Sequence, residues 1–365
     1  MVANALFATV TDGPYCQFGR SWAKSSTLSN VLNDTARVSD LIRQRVHAAI
    51  EELEYQPNHV ARSLKLKTTK MLGMIISDIT NPFFSQMVRG AEDAAPKRNY
   101  LLLTFNTDDR VEREKQVLRV LRSRRVDGVL LVVAPSEERP AHITDTIDSG
   151  LPIAWLDRLP PEIRLDSVTV DNVAATQECV RHLVSQGHSE IGIITGSLFL
   201  ETVRQRLQGY KKALEPAGIP VRQELICEGD FREETGYQLG RKILARPDRP
   251  SALFLSNSLM AIDVLRAIEE LELRCPEEIA LAPFDDLPLT EVFRPHLTAV
   301  SQPAFSIGYA GAELLIQRAE SKGNSDTPIA IRLLTQLKMR ESTLGYLQPN
   351  PRHTKVRSSS DGKRT

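Results

Sequence analysis

A chain of 365 residues, 41% hydrophobic and 25% charged, is long enough for two or three domains and apolar enough to bury their cores, which excludes global disorder. No window approaches the ~18 uninterrupted apolar residues of a membrane span, and residues 1–13 lack the charged flank and long apolar run of a secretion signal, so a cytoplasmic location is expected. Its 46 Lys and Arg balance 46 Asp and Glu, which argues against a nucleic-acid partner only if the charge is evenly spread. Cys16, Cys179, Cys227 and Cys275 are too far apart for a zinc site or a disulfide framework, and neither metal nor cofactor is expected.

The charge is not evenly spread. Residues 1–70 carry nine basic and six acidic side chains, and those after Arg45 that are basic fall at Arg62, Lys65, Lys67 and Lys70. Residues 26–33 open with capping hydroxyls and place Leu28, Val31 and Leu32 at helical spacing. A second helix follows over residues 40–54, with Leu41, Val46, Ile50 and Leu53 as its apolar stripe and Ser39 or Asp40 as its cap. Pro57-Asn58 breaks the chain, residues 60–64 form a third short helical run, and the polar residues 65–70 read as a linker.

From Met71 the pattern changes to apolar strands alternating with amphipathic helices, the signature of βαβ units and parallel sheets. Strands are expected at 71–77, 100–106, 128–133, 153–157 and 168–171, with helices at 84–98 and 110–125. After a helix at 174–186, a second set of strands follows at 191–196, 225–229, 252–256, 279–284 and 297–301, with helices at 204–216 and 234–245 among them. Ten strands exceed a comfortable single sheet, so two doubly wound lobes are expected. Residues 346–365, with two prolines, five basic residues and a Ser-Ser-Ser-Asp-Gly run, are expected to be a disordered tail.

Several ordered motifs sharpen this reading. The segment Ser26-Thr27-Leu28-Ser29-Asn30-Val31-Leu32-Asn33, then Val38-Ser39, then Tyr55-x-Pro57-Asn58-x-Val60-Ala61-Arg62-Ser63-Leu64 is followed by Asp78-Ile79-Thr80-Asn81-Pro82-Phe83-Phe84, Asp157-Arg158, Gly187-His188, Arg206-x-x-Gly209-Tyr210 and Phe284-Asp285-Asp286. Over residues 24–343 this succession resembles the lactose/galactose repressor family. The resemblance implies a small all-α helix-turn-helix domain (residues 1–57), a hinge helix with linker (58–70), and a two-lobed α/β periplasmic-binding-protein-like domain built on two doubly wound parallel sheets (71–345). Lobe 1 would take 71–171 plus 303–320, and lobe 2 would take 172–300 plus 328–343.

It further implies a non-enzymatic, homodimeric transcription regulator, most simply a repressor, that binds double-stranded operator DNA and is controlled by a small molecule held between the lobes. Matched position by position, Ser25, Ser26 and Asn30 would read base edges in the major groove while Thr27, Ser29 and Asn33 hold phosphates. The hinge would enter the minor groove with Leu64 as an apolar wedge, Ala61 allowing close approach, Arg62 on the backbone and Asn58 at its start. Effector binding would fall to Asp78, Asn81, Phe83, Asp157, Arg206, Asn257 and Asp285, a set of carboxylates, amides and one guanidinium suited to a sugar or sugar derivative, with a purine as the second choice. A periplasmic-type sugar-binding protein, or a sensor with impaired DNA binding, is the alternative. No glycine-rich nucleotide loop, nucleophile elbow or metal-ligand cluster supports an enzyme.

Four places depart from the family's pattern. Asn257-Ser258 stands where Asn-Asp is usual, and Pro283 and Pro96 occupy a strand end and a last helical turn. The largest departure is residues 13–24, where Gly13-Pro14 and Gly19-Arg20 replace the apolar stripe of the family's first helix. One hypothesis is a frame shift in the gene across residues 13–24, which resequencing would test. An intact mass agreeing with the unshifted sequence would sink that explanation and leave a reader without its supporting first helix.

Overall fold

The structure is a computed structural model that describes residues 31, 38–52, 68–137, 140–160, 163–231, 234–286, 294–321 and 327–345. The chain divides into two compact units, Met1–Thr69 and Lys70–Thr365. In the first unit the described helix is α1, Asp40–Glu52, whose first turn closes with the Arg43 amide on the Ser39 carbonyl. Its expected apolar stripe is split: Val46 is buried and Leu41 is 60% exposed. The proposed DNA contacts Ser25, Ser26, Thr27, Ser29, Asn30, Asn33, Asn58, Ala61, Arg62 and Leu64 lie outside the described residues, as does the tail.

The second unit holds two parallel sheets. Strands β1 (Met71–Ile76), β2 (Leu101–Asn106), β3 (Gly128–Leu131), β4 (Ile153–Leu156) and β5 (Asp166–Val170) form the first, and β6 (Ile191–Thr195), β7 (Ile226–Glu228), β8 (Ala252–Leu255) and β9 (Ala280–Pro283) form the second. Most are short continuous runs of Val, Ile, Leu and Met because helices cover both faces and leave no wet side to alternate toward. The helices are α2 (Pro82–Ala94), α3 (Val111–Ser123), α4 (Ala141–Asp148), α5 (Asn172–Ser185), α6 (Glu201–Leu214), α7 (Thr235–Leu244), α8 (Ser258–Glu270) and α9 (Ala304–Glu320). The helix expected over 84–98 ends at Ala94 and tightens into a 3₁₀ turn at Ala95–Arg98. Pro96 lacks the amide that would continue the α ladder, and Asn99 closes the turn in the left-handed region.

Two strand assignments are corrected. Residues 328–343 were expected in the second lobe, yet β11 (Ala330–Leu333) pairs in parallel with β5 and completes the first sheet in the order β11-β5-β4-β3-β1-β2. The sheet expected to include residues 297–301 instead stops at β9. There β10 (Ala299–Ser301) pairs antiparallel with β12 (Gln336–Lys338) in a separate ribbon, joined to the second sheet by the single bridge Phe284–Val300. The chain therefore crosses between the sheets after β5, after β10 and before β12. Three crossings make the seam a hinge rather than a single linker.

In each sheet the strand order reverses beside its first strand, β1 in one and β6 in the other, and at such a switch the loops at the carboxyl ends splay apart and leave a crevice. Helices α2 and α9 cover the first sheet and approach each other backbone to backbone. A Cβ at Gly308 would lie 1.8 Å from the Met87 carbonyl oxygen, and one at Gly90 would lie 1.9 Å from that of Phe305. The second lobe is pinned to its C-terminal segment by a buried polar chain: His182 Nε2 meets Thr343 Oγ1 at 2.8 Å, which meets Thr298 Oγ1 at 2.7 Å.

Two predictions follow from this packing. Alanine is favoured over glycine in a helix by about 1 kcal/mol, but at Gly308 the new methyl meets a carbonyl that cannot rotate away. Gly308→Ala should therefore lower stability by about 2–3 kcal/mol in urea unfolding. His188 is buried against Ser251, and burial lowers its pKa from the ordinary 6.5 to about 4. The unfolded chain then takes up this proton first as pH falls, so stability present above pH 6.5 is lost between 6.5 and 4. A Tm series over that window should be flatter in His188→Gln.

Candidate functional site

All seven residues expected to hold the effector line one cavity of about 580 Å³ between the lobes. Each arrives from the carboxyl end of a strand. Asp78 follows β1, with Asn81 and Phe83 entering α2; Asp157 follows β4; Arg206 lies on α6 after β6; Asn257 follows β8; and Asp285 follows β9.

Asn81 and Asn257 also cap helices. Asn81 Oδ1 accepts from the Phe83 amide at 3.0 Å, with Pro82 preset at the first helical position, and Asn257 Oδ1 accepts from the Met260 amide at 2.9 Å. Capping uses the oxygen of each side chain; its amide nitrogen is a donor that the cap does not use. Asp78 is folded back on its own loop, accepting from the Thr80 amide and hydroxyl.

The electrostatic centre is Arg206, 4% exposed. Its Nε donates to Asn172 Oδ1 at 2.9 Å, its Nη1 to the Ser256 carbonyl at 2.6 Å, and the guanidinium lies 3.8 Å from the centroid of the Phe284 ring. Burial pulls its pKa down, and the charges of Asp285 and Asp157 oppose that pull. Asp157 and Asp285 are themselves buried and both sit in the left-handed backbone region, at φ 60° and 72°, where a non-glycine residue is held only by its surroundings. Burial raises both carboxyl pKa values against the pull of Arg206, to about 6 for Asp285. Among the described residues Asp157 Oδ1 is buried with no hydrogen-bond partner, while Asp285 Oδ1 accepts from Gln302 Nε2 at 2.5 Å. Such an orphaned carboxylate oxygen in a chamber is an acceptor waiting for a donor.

Sequence reasoning missed several lining residues. Arg158 donates to Asp109 Oδ1 at 2.5 Å; burial works against its charge, and Asp109 and Asp157 outweigh that to raise its pKa. The Asp157-Arg158 motif marks its position in the sequence but not its place in the chamber wall. Gln302 follows β10 in a crossing segment, where nothing in the pattern marks it, and its Oε1 is a second buried atom without a partner. Phe231 packs so closely over Gly196 that a Cβ there would be 2.3 Å from its ring, and it faces the chamber from the second lobe while Phe83 and Phe84 face it from the first. Only Gly196 could have signalled it.

Among the described residues no group of three or more His, Cys, Asp or Glu could hold a metal ion, and no helix is long and apolar enough to cross a membrane.

A model of bacterial regulatory proteins of the lacI family matches residues 25–58, and one of a periplasmic binding protein-like domain matches residues 180–343. The chain is 34% identical to the HTH-type transcriptional repressor PurR of Aliivibrio salmonicida, over 82% of this chain and 89% of that protein. It is 35% identical to the ribose operon repressor of Escherichia coli K12, over 80% and 89%. Among solved structures it is similar to a lac repressor dimer bound to operator and an anti-inducer, at 26% identity and a TM-score of 0.78, covering 88% of this chain and 96% of that one. It is also similar to a LacI family regulator of Enterococcus faecium with bound ribose, at 29% identity and a TM-score of 0.65, covering 74% and 98%. With identity above 30% over four-fifths of its length, the chain belongs to the lacI family of bacterial transcription regulators, whose members join a DNA-binding helix-turn-helix to a periplasmic-binding-protein-like sensor.

Proposed function

We propose that this chain is a repressor that binds operator DNA as a homodimer and takes a neutral pentose, D-ribose first, as the effector in the interlobe chamber. The observation that carries this reading is the buried Arg206 guanidinium, fixed on Phe284 and facing Asp157 and Asp285. Vicinal hydroxyls donate to the two carboxylates and accept from the guanidinium and the amide groups of Asn81 and Asn257. The rings of Phe83, Phe84 and Phe231 suit the apolar C–H faces of a sugar ring. Six aspartates against two arginines line the chamber, a balance that disfavours phosphorylated or acidic sugars.

Similarity to a ribose operon repressor and to a regulator with bound ribose supports the same choice. Similarity to a purine repressor keeps a purine as the second reading. A purine offers fewer donors than a polyol to two buried carboxylates, so the side chains favour the sugar. Sugar bound across the seam favours the arrangement of lobes that holds it and so shifts the population that binds operator. On the DNA side, the proposed readers are Ser25, Ser26 and Asn30, with Thr27, Ser29 and Asn33 on phosphates and Asn58, Ala61, Arg62 and Leu64 in the hinge. Zero net charge does not oppose this, because the basic residues of 1–70 outnumber the acidic ones.

Titration calorimetry of the full chain with D-ribose should show one site per subunit, and Arg206→Ala should weaken it by about 100-fold or more, the loss of at least two charge-assisted hydrogen bonds. A mobility shift on promoter DNA should change when ribose is added; ribose that neither binds nor alters the shift would reject the reading. Because Asp285 titrates near 6, ribose affinity should be level above pH 7 and fall by up to about tenfold per unit below 6, and Asp285→Asn should bind weakly at all pH values. The sign for folding is opposite: a carboxyl raised above its unfolded value adds stability to the ligand-free protein as pH falls from about 6 toward 4.

A further inference from the structure

A second cavity of about 430 Å³ crosses the same seam beside the first. The first lobe contributes Val133, Pro140, His142 and Leu159, and the second contributes Phe199, Glu201 and Arg204. Arg158 lines both cavities, and α6 serves both, with Thr202 and Arg206 on one and Glu201 and Arg204 on the other.

Its chemistry differs from that of the central chamber. Nearly every charge is already neutralised by a neighbour. Glu114, 1% exposed, accepts from the Ala134 amide at 2.8 Å and contacts His142 Nε2 at 2.7 Å. Arg204 bonds Glu201 at 2.7 Å, and Arg158 bonds Asp109. Glu137 is exposed, and no partner is found for it among the described residues. The walls between these pairs are apolar and flat: Pro140, Leu159 and Pro160 on one side and the Phe199 ring, 48% exposed, on the other. An exposed phenyl ring facing proline and leucine across a seam is a stacking platform rather than a core side chain.

We propose that this chamber binds a neutral planar heterocycle of the nucleobase type, stacked on Phe199 with an exocyclic amine donating to Glu137. Among the described residues, pairing of the other charges leaves no unpaired cation to hold a phosphate or a carboxylate, and Glu137 repels both. A polyol is poorly served because the wall acceptors are already engaged. Since both cavities are closed by the same two lobes and share Arg158 and α6, a base here favours the arrangement that holds the effector, and each ligand raises the affinity of the other. The coupling rests on ribose being the effector of the central chamber; the base site itself does not.

The experiment is calorimetric titration of the full chain with adenine, with hypoxanthine, which lacks the exocyclic amine, and with adenine in saturating D-ribose. Adenine is expected to bind more tightly than hypoxanthine and more tightly still with ribose present. Phe199→Ala should weaken adenine by about tenfold or more, the worth of one base–aromatic stack, and leave ribose affinity unchanged. Glu137→Gln, on an exposed residue and so safe for folding, should erase the preference for adenine over hypoxanthine. Arg206→Ala should lose ribose and keep adenine. Adenine binding lost in Arg206→Ala but kept in Phe199→Ala would place the base in the central chamber and overturn the proposal. So would the absence of adenine binding by the folded chain, whether or not ribose binds, whereas loss of ribose binding alone overturns only the effector assignment.

Discussion

The sensor is organised around one buried cation. Taking a guanidinium out of water is tolerable only where hydrogen bonds and opposite charge replace the lost solvent. Around Arg206 that replacement is incomplete by design of the seam: Asn172, the Ser256 carbonyl and the Phe284 face hold its position, while Asp157 and Asp285 balance its charge without closing every bond. Asp157 Oδ1, Gln302 Oε1 and Ser256 Oγ are buried with no partner among the described residues. An unmet buried polar atom costs roughly 1–3 kcal/mol. Their concentration at one seam means that a hydroxylated ligand relieves a cost already present in the ligand-free protein. Binding and lobe arrangement are therefore coupled by the same atoms.

The tripeptide Phe284-Asp285-Asp286 shows how that coupling reaches beyond the chamber. Phe284 lies under Arg206 and bridges to Val300 of β10; Asp285 faces the cavity; Asp286, 6% exposed, is held bidentately by Arg340 at 2.7 and 3.0 Å and by Lys338 of β12 at 2.7 Å. Three successive residues thus touch Arg206, the chamber and the crossing ribbon. Asp285, in the left-handed region at φ 72°, is bonded directly to Asp286, so the chamber and the ribbon are joined through one peptide link.

Much of this was legible in the sequence, for reasons that differ by feature. The parallel strands could be read because burial on both faces forces continuous apolar runs, as in Met71–Ile76 with five of its six residues fully buried. The seven cavity residues could be placed because ordered motifs fix them at strand ends. What escaped is decided by pairing across the chain. Nothing within Ala330–Leu333, half exposed along its length, says that its partner is β5 rather than a strand of the nearer sheet. Gln302 and Phe231 carry no local pattern; one matters because a crossing strand delivers it, the other because Gly196 leaves room for its ring. At Asn257-Ser258, where a carboxylate is usual in the family, Ser258 is 1% exposed at the first position of α8. An uncharged hydroxyl there avoids burying another negative charge next to Asn257, beside a chamber that already has six aspartates against two arginines.

The reader poses the converse problem. The family match begins at residue 25, immediately after the stretch 13–24 whose sequence lacks a helical stripe. A helix-turn-helix is held by a third helix because two short helices alone bury too little apolar surface to offset the entropy of ordering them. In this unit Val31 and Val46 are buried while Leu41, on the same expected stripe as Val46, is 60% exposed. Five residues apart, the two side chains point to sides of the helix about 140° apart, and it is the Val46 side that is covered. The sensor has no such gap, since its cores draw on residues from Leu72 onward. The proposed effector site therefore stands on Lys70–Thr365 alone, whose core owes nothing to the residues before it.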